Sequence, residues 1–169
     1  LDVLDAVDHC KSQSLDIGTL LHPPAIGSDA VRHHSTDQDH DLDQILDREL
    51  IRQAAGALAD GTPVSITTQI HNVNRAVGTM LGYELTKRFG GGGLPDDTIA
   101  ISLDGSAGNS LGAFVPSGIS LRLTGDANDY AGKGLCGGIM AVRAPAGSPF
   151  DPAENVVTGN VVLYGATSG

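Results

Sequence analysis

The second half of the chain repeats short apolar runs at a nearly constant spacing. The runs occupy residues 99–103, 119–123, 139–143 and 161–164. The first three begin 20 residues apart, and the fourth begins 22 residues after the third. The glycine-rich residues 105–112 and 125–132 align at the same offset of 20. A fixed period near 20 residues with β-forming runs is typical of a solenoid, in which each repeat stacks on the next.

The placement of glycine favours a solenoid with tight corners. The chain contains 23 glycines, and 17 of them follow residue 89. Corners between stacked strands require positive φ angles and close backbone contacts, which glycine adopts at the lowest cost. Leucine-rich repeats have a similar period, but their leucine spacing is missing here. We therefore predict a mainly β fold, a parallel β-helix with an aliphatic core, in which residues 111–115 form an additional short strand.

The first half of the chain has a different character. Residues 1–41 are rich in turn formers and polar side chains, which predicts an extended arm or linker. Apolar faces with helical periodicity predict helices near residues 42–59 and 73–89. The β-branched residues 63–70 predict a strand between them. The predicted organisation is thus an arm over 1–41 followed by a β-helix domain over 42–169.

The composition excludes several classes of function. The net charge is −10, and no basic stripe for nucleic acid is visible. No apolar run reaches the roughly 18 residues that span a bilayer, and the acidic first residues do not form a signal peptide. Cys10 and Cys136 are the only cysteines. They cannot ligate an iron–sulfur cluster by themselves, and their scarcity favours a reducing, cytoplasmic location.

Short strings that resemble ligand-binding motifs fail in their context. Residues 132–137 match G-x-G-x-x-G, but a predicted strand rather than a helix follows them, which favours a turn over a dinucleotide loop. Residues 37–43 begin like a calcium loop, although Leu42 and Arg48 stand where its glycine and glutamate belong. The three histidines of residues 33–40 lack the paired spacing of zinc sites. No metal or cofactor site is therefore predicted in this chain.

Paired carboxylates leave one enzymatic alternative open. Asp96 with Asp97, and Asp126 with Asp129, provide acids of the kind that hydrolyse glycosidic bonds when they lie at a defined separation. A β-helical carbohydrate-active enzyme would gather these four side chains in one cleft. Aspartates that hydrogen-bond their own backbone in turns explain the same residues equally well.

A longer pattern resembles one known family. Its segments are residues 70–75, Gly78, residues 88–90, residues 105–114, Gly118 and residues 123–138. They resemble the C-terminal domain of the large (alpha) subunit of bacterial glutamate synthase, often called the GXGXG domain. The resemblance is most specific between Gln69 and Arg143, and residues 1–41 resemble the connection from the preceding synthase domain.

The resemblance implies a right-handed β-helix that holds no catalytic residue and no cofactor of its own. In the family, the parent subunit contains a glutaminase domain with a cysteine nucleophile and a barrel that binds FMN and a 3Fe-4S cluster. Ammonia from L-glutamine reaches 2-oxoglutarate internally, and two L-glutamate molecules form. A small subunit with FAD supplies the electrons of NADPH. The β-helix packs between the glutaminase and FMN synthase domains and keeps them in register.

The predicted structural residues are the glycines at the corners. They are Gly105, Gly108, Gly112, Gly118, Gly125, Gly132, Gly134, Gly137 and Gly138. Valine is strained at positive φ, so Gly125→Val is expected to lower stability. Because the repeat is still running at residue 169, we expect a truncated domain whose open end promotes self-association. A β-helix subunit of another redox complex, such as formylmethanofuran dehydrogenase, is the second alternative.

Overall fold

The computed structural model describes residues 33–169 without a break, together with Gly18, His22, Ala25, Gly27 and Ala30. The chain divides into two compact units, Leu1–Asp39 and His40–Gly169. Most of the arm predicted over residues 1–41 lies outside the described residues, and its boundary stays a prediction. The second unit contains three helices and four strands.

Two short helices occupy much of the region predicted as one helix near residues 42–59. Helix α1 spans Leu46–Gln53 and helix α2 spans Ala55–Asp60. Only Ala54, with ψ near 9°, separates them. Helix α2 ends at Gly61, whose left-handed φ of 79° closes the last turn. The first residues of the predicted helix lie outside α1, because the chain turns there before the helix begins.

Helix α3 spans Thr79–Phe89 and therefore begins later than the predicted start at residue 73. Residues 71–78 form a turn instead, in which the Asn74 side chain accepts a hydrogen bond of 2.8 Å from the His71 N–H. Ala76 in this turn has a φ of 52°, which a helix cannot contain. The turn thus delays the helix by about one and a half helical turns at 3.6 residues each.

Four parallel strands form one sheet in sequence order. They are β1 (Val64–Ile70), β2 (Ile99–Ala107), β3 (Ile119–Ala127) and β4 (Ile139–Arg143). In the register, Val64 pairs with Ile99, and Ile99 pairs with Ile119. Ile139 pairs with Ser120 rather than with Ile119, so β4 is shifted by one residue.

One face of this sheet forms the hydrophobic core. Alternate residues of β1, β2 and β3, such as Ile66, Ile101 and Leu121, point to this face and are no more than 2% exposed. Leu81 and Leu85 of α3 belong to the same buried cluster. The intervening residues of the strands point away from the core, as expected for the two-residue period of a strand.

The predicted right-handed β-helix is wrong. The structure has a single four-stranded parallel sheet with helices, an α/β-like arrangement rather than a solenoid. The starts of β2, β3 and β4 keep the spacing of 20 residues, whereas α3 lies between β1 and β2, so the repeat does not extend to β1. Residues 111–115 and 161–164, which were expected to be further strands, form turns. Positive φ angles recur within both segments, and an extended strand cannot contain them.

Candidate functional site: the glycine row and the stacked turns

Two glycines lie side by side in the centre of the sheet. Gly105 has a φ of 127° and Gly125 a φ of 147°, and the two residues are paired in the parallel register. A Cβ atom on Gly125 would overlap the carbonyl oxygen of Gly105, and one on Gly105 would overlap that of Ile70. Both the positive φ and the missing Cβ are needed here, so only glycine fits. The row of Ile70, Gly105 and Gly125 therefore sets how closely three strands approach.

Three glycine-containing turns follow β2, β3 and β4 and are hydrogen-bonded to one another. We call residues 108–115, 128–135 and 159–166 the stacked turns. Their N–H groups donate to carbonyl oxygens of the neighbouring turn at 2.8–2.9 Å: Ser110 to Asp129, Gly132 to Leu111, Phe114 to Lys133, Tyr130 to Asn160 and Gly134 to Tyr164. These N–H groups are used within the stack, so they do not form an anion-binding nest of the kind that glycine-rich turns often provide.

Positive φ angles recur at every second residue within the stacked turns. The residues are Ser110, Gly112 and Phe114 in the first turn, Tyr130, Gly132 and Gly134 in the second, and Val161, Leu163 and Gly165 in the third. Their φ angles lie between 58° and 69°. Each non-glycine residue in this conformation costs on the order of 1–3 kcal/mol. The left-handed non-glycine residues were not predicted from the sequence, although a glycine at the matching position of another turn indicates their conformation, as Gly134 does for Phe114.

The structure places the nine predicted glycines in the sheet and in the turns around it. Seven have positive φ angles: Gly105, Gly112, Gly118, Gly125, Gly132, Gly134 and Gly137. Gly108 and Gly138 have ordinary φ angles but lie against neighbouring backbone, so a Cβ on Gly108 would lie 2.5 Å from the Asn72 oxygen. Their role as structural residues stays a prediction that substitution can test.

A buried carboxylate joins α1 to α3. Asp47 of α1 is 2% exposed. Its Oδ1 accepts a hydrogen bond of 2.7 Å from the N–H of Gly78, and its Oδ2 accepts bonds of 2.7 and 3.2 Å from Met80 and Leu81. It thereby caps α3 from a distant part of the chain. Burial raises the pKa of the Asp47 carboxyl, and the three N–H donors oppose that shift.

The burial of Asp47 could have been predicted from the helical periodicity of the sequence. Asp47 lies three residues before Leu50 and seven before Ala54, so it shares the apolar face of the helix with them. A charged residue on a buried helix face requires a polar partner. The residues that flank the starts of α1 and α3 are Ile45 and Gly78, and neither provides a capping side chain of its own.

The four aspartates of the enzymatic alternative do not meet in one cleft. Asp126 lies in a groove of about 400 Å³ beside Asp104, and its carboxylate accepts a 2.6 Å bond from the Ser106 hydroxyl. Asp129 accepts a 2.7 Å bond from the Asn160 N–H and so links two of the stacked turns. Neither Asp129 nor Asp97 lines that groove. The carboxyl pair that glycoside hydrolysis requires is therefore not formed by these residues.

Asp97, in the turn before β2, forms an ion pair with a side chain of β3. The Arg122 guanidinium donates to its carboxylate at 2.7 Å, and Asp97 itself has a φ of 59°. The hydroxyl of the fully buried Ser120 lies beside the same carboxylate, although the two groups do not reach regular hydrogen-bond geometry. Ser120 first and Arg122 second lower the pKa of Asp97 below its ordinary value of 3.8.

The lowered pKa of Asp97 makes its contribution to stability depend on pH. A carboxyl with a depressed pKa in the fold stabilises it above the unfolded value, and the contribution is lost as the pH falls through the folded pKa. Asp97→Asn tolerates the same positive φ but removes the charge. We expect urea denaturation to show a less stable variant at pH 7 and a difference that shrinks as the pH falls below 3.8. A difference that does not shrink with falling pH would contradict this assignment.

The remaining candidates are the cysteines, groups of metal-binding side chains and membrane-spanning helices. Cys136 is an exposed free thiol whose Sγ lies 3.6 Å from the Val115 carbonyl oxygen, and Cys10 lies outside the described residues. Within residues 33–169 and the five described before them, no three His, Cys, Asp or Glu side chains are arranged to hold a metal ion. None of the helices in the described part of the chain is long and apolar enough to cross a bilayer.

The fold and the site define a glycine-rich repeat domain, with one parallel sheet and turns that stack in register. The sequence model of the GXGXG-motif family matches residues 47–169, and the chain belongs to this family. The match includes the glycine row and all three stacked turns.

The individual relatives are glutamate synthases. The chain is 46% identical over 162 residues to the NADH glutamate synthase of Saccharomyces cerevisiae, covering 95% of this chain and 8% of that protein. It is 46% identical over 165 residues to the NADPH glutamate synthase large chain of Bacillus subtilis, covering 97% and 11%. A ferredoxin-dependent glutamate synthase 2 of Synechocystis is 34% identical over 173 residues, covering 100% and 11%. The resemblance inferred from the sequence is confirmed, and the chain spans about a tenth of these relatives.

Proposed function

We propose that this chain is a non-catalytic, structural domain of a glutamate synthase large subunit. The parent enzyme would form two L-glutamate from L-glutamine and 2-oxoglutarate with NADPH, and ammonia would pass between its two active sites. The domain would hold the glutaminase and FMN synthase domains at a fixed separation, so that ammonia is not lost to solvent. The observation that carries the proposal is the 46% identity to the Bacillus subtilis large chain across 97% of this chain.

The use of the polar side chains supports a structural role. Asp47 caps a helix, Asp97 pairs with a strand arginine and Asp129 links two turns. A catalytic acid or base needs access to a substrate, and these groups are instead occupied by the fold. The strained φ angles of the stacked turns are likewise matched by interturn hydrogen bonds. Substitution of these residues is therefore expected to lower the stability of the fold rather than to remove a catalytic group.

The cofactors of the parent enzyme are assigned to other domains. A 3Fe-4S cluster is held by several cysteine thiolates, and this chain contains only Cys10 and Cys136. We propose that FMN and the cluster reside in the synthase barrel of the same large chain. FAD and the NADPH site would reside in the small subunit. A cytoplasmic location agrees with the low cysteine content.

Replacement of the matching segment in a relative tests the proposal. The chimera is the Bacillus subtilis large chain in which this chain replaces its 46%-identical segment. We expect glutamate formation by the chimera to stay within about tenfold of the parent, because domains of one family share their packing surfaces. Deletion of the segment should abolish the activity. An inactive chimera that is folded and loaded with FMN would count against the proposal.

Substitution of reactive side chains tests the absence of catalysis. Cys136→Ala, Lys133→Ala and Asp96→Asn remove groups that are capable of chemistry, and we expect kcat of the chimera to change less than twofold. Removal of a true general acid or base lowers the rate by about 10²–10⁴-fold. A drop of that size in a variant that retains its folded structure and its FMN would show that the domain participates in the reaction.

A further inference from the structure

The outer face of the sheet, which points away from the core, is largely polar in its central rows. Thr67, Ser102 and Arg122 are neighbours in one cross-strand row and continue to Ala141 of β4. The next row contains Gln69, Asp104, Thr124 and Arg143. Apart from the half-buried Thr124, these eight side chains are exposed. We call them, together with Ser106 and Asp126 of the following row, the outer face.

A parallel sheet with one bare face is unusual. All-parallel sheets occur almost only where both faces are covered, whereas antiparallel sheets commonly leave one face in water. The four strands here are parallel throughout. The core covers one face. On the other, Pro145, Phe150 and Val156 border the groove beside Thr124, whereas the row of Thr67, Ser102 and Arg122 is exposed. The missing cover is therefore expected from another part of the protein.

The charges of the outer face are separated into two halves. On one side of Thr124, a groove of about 290 Å³ is lined by Arg122 and Arg143. On the other side, the groove of about 400 Å³ is lined by Asp104 and Asp126, with the ring of Phe150 in its wall. The Nε of Arg143 donates to the Thr124 hydroxyl at 3.1 Å. None of the ion pairs among the described residues involves Arg143.

We infer that the outer face docks another domain of the same large chain, one that presents a carboxylate to Arg143 and a basic side chain to Asp104 and Asp126. Arg122 is already paired with Asp97 and adds positive charge beside Arg143. The inference rests on the proposed function. Guanidinium groups pair bidentately with carboxylates, and a basic side chain in the acidic groove also contacts the Phe150 ring. Separated charges of this kind orient a partner as well as attract it.

The shape of the outer face fits a domain rather than a small ligand. Its central rows consist largely of short side chains, so a folded surface can approach closely. Interfaces between domains of one chain are typically polar and bury about 600–1,500 Å². Val156, which is 84% exposed, lines the acidic groove and provides apolar area at its edge. A polar face with an apolar rim of this kind suits an interdomain contact.

A labelling experiment in the chimera tests the inference. Ser102→Cys places a thiol at the centre of the outer face, and Thr86→Cys places one on the exposed side of α3. Maleimide labelling of each thiol is followed by peptide mass spectrometry, in the 169-residue chain and in the chimera. We expect the labelling rate of Ser102→Cys to fall at least tenfold in the chimera. In the 169-residue chain the two thiols should label at similar rates.

Charge reversal separates docking from other causes of protection. Adding Arg143→Glu to Ser102→Cys should restore labelling at least fivefold in the chimera, whereas Lys87→Glu on α3 should not. An active chimera in which Ser102→Cys labels as fast as in the 169-residue chain overturns the inference and leaves the proposed function intact. Protection that grows with the concentration of the 169-residue chain overturns it in favour of a second copy. A chimera that is folded and loaded with FMN but inactive counts against both proposals.

Discussion

Gly125→Val should prevent the chain from forming a stable sheet. A Cβ atom at this position overlaps the carbonyl oxygen of Gly105, and the φ of 147° is unfavourable for every other residue. The obstacle is backbone of a central strand, so it cannot rotate away as a side chain would. We expect a loss of about 4 kcal/mol or more in the free energy of unfolding. This loss is a large share of the roughly 5–15 kcal/mol that stabilises a typical domain.

The measurement needs a milder variant and a matched control. Gly125→Ala carries the same Cβ with less bulk and should also lose stability in urea denaturation followed by circular dichroism. Gly56 lies in α2 with no atom within 4 Å of a Cβ. Gly56→Ala should therefore stabilise the chain, by about 0.4–1 kcal/mol. Equal stability of Gly125→Ala and the unmodified chain would refute the role of the glycine row.

The strands were predictable because their signal is local. The apolar runs that start at Ile99, Ile119 and Ile139 coincide with the starts of β2, β3 and β4. Alternating burial follows directly from the alternation of side chains in a strand. The ends of β2 and β3 were placed too early, because Gly105 and Gly125 were taken to end the strands. In the structure both glycines lie inside the strands, where close backbone contact requires them.

The same repeat did not determine whether the chain forms a β-helix. A period near 20 residues shows that successive strands pair, but it does not show what conformation the chain has between them. Here the intervening segments contain left-handed residues such as Phe114 and Leu163. No local propensity predicts such residues, because aromatic and aliphatic side chains rarely adopt positive φ. Tertiary hydrogen bonds between turns impose the conformation, and those contacts cannot be read from composition or spacing.

Contacts between residues far apart in the sequence could not be predicted either. Asp47 and the start of α3 are more than 30 residues apart, and no short motif links a carboxylate to so distant a helix end. The charge pattern of the outer face depends on strand register, because Asp104 and Arg143 share a row only once β2, β3 and β4 are aligned. Long-range pairing therefore determines both features, whereas helix and strand patterns are short-range.

Asp47→Ala should be the most damaging substitution outside the glycine row. It removes the acceptor of three N–H groups at the start of α3, two of them at 2.7 Å. A buried donor without a partner costs about 1–3 kcal/mol. Because the three losses are not additive, we expect a total of about 3 kcal/mol or more in urea denaturation. The control is Asp43→Ala, since Asp43 is exposed and only approaches Arg48 at 3.9 Å. It should leave stability unchanged.

The pH dependence of Asp47→Asn provides a second, independent readout. Burial raises the pKa of Asp47 above its ordinary value of 3.8. A raised pKa in the fold means that stability is fully present below the unfolded value and falls as the pH rises through the folded pKa. The asparagine variant lacks this fall. The stability lost by Asp47→Asn should therefore be largest below pH 4 and shrink as the pH rises above it, and a loss that grows with pH would show that the N–H donors outweigh burial.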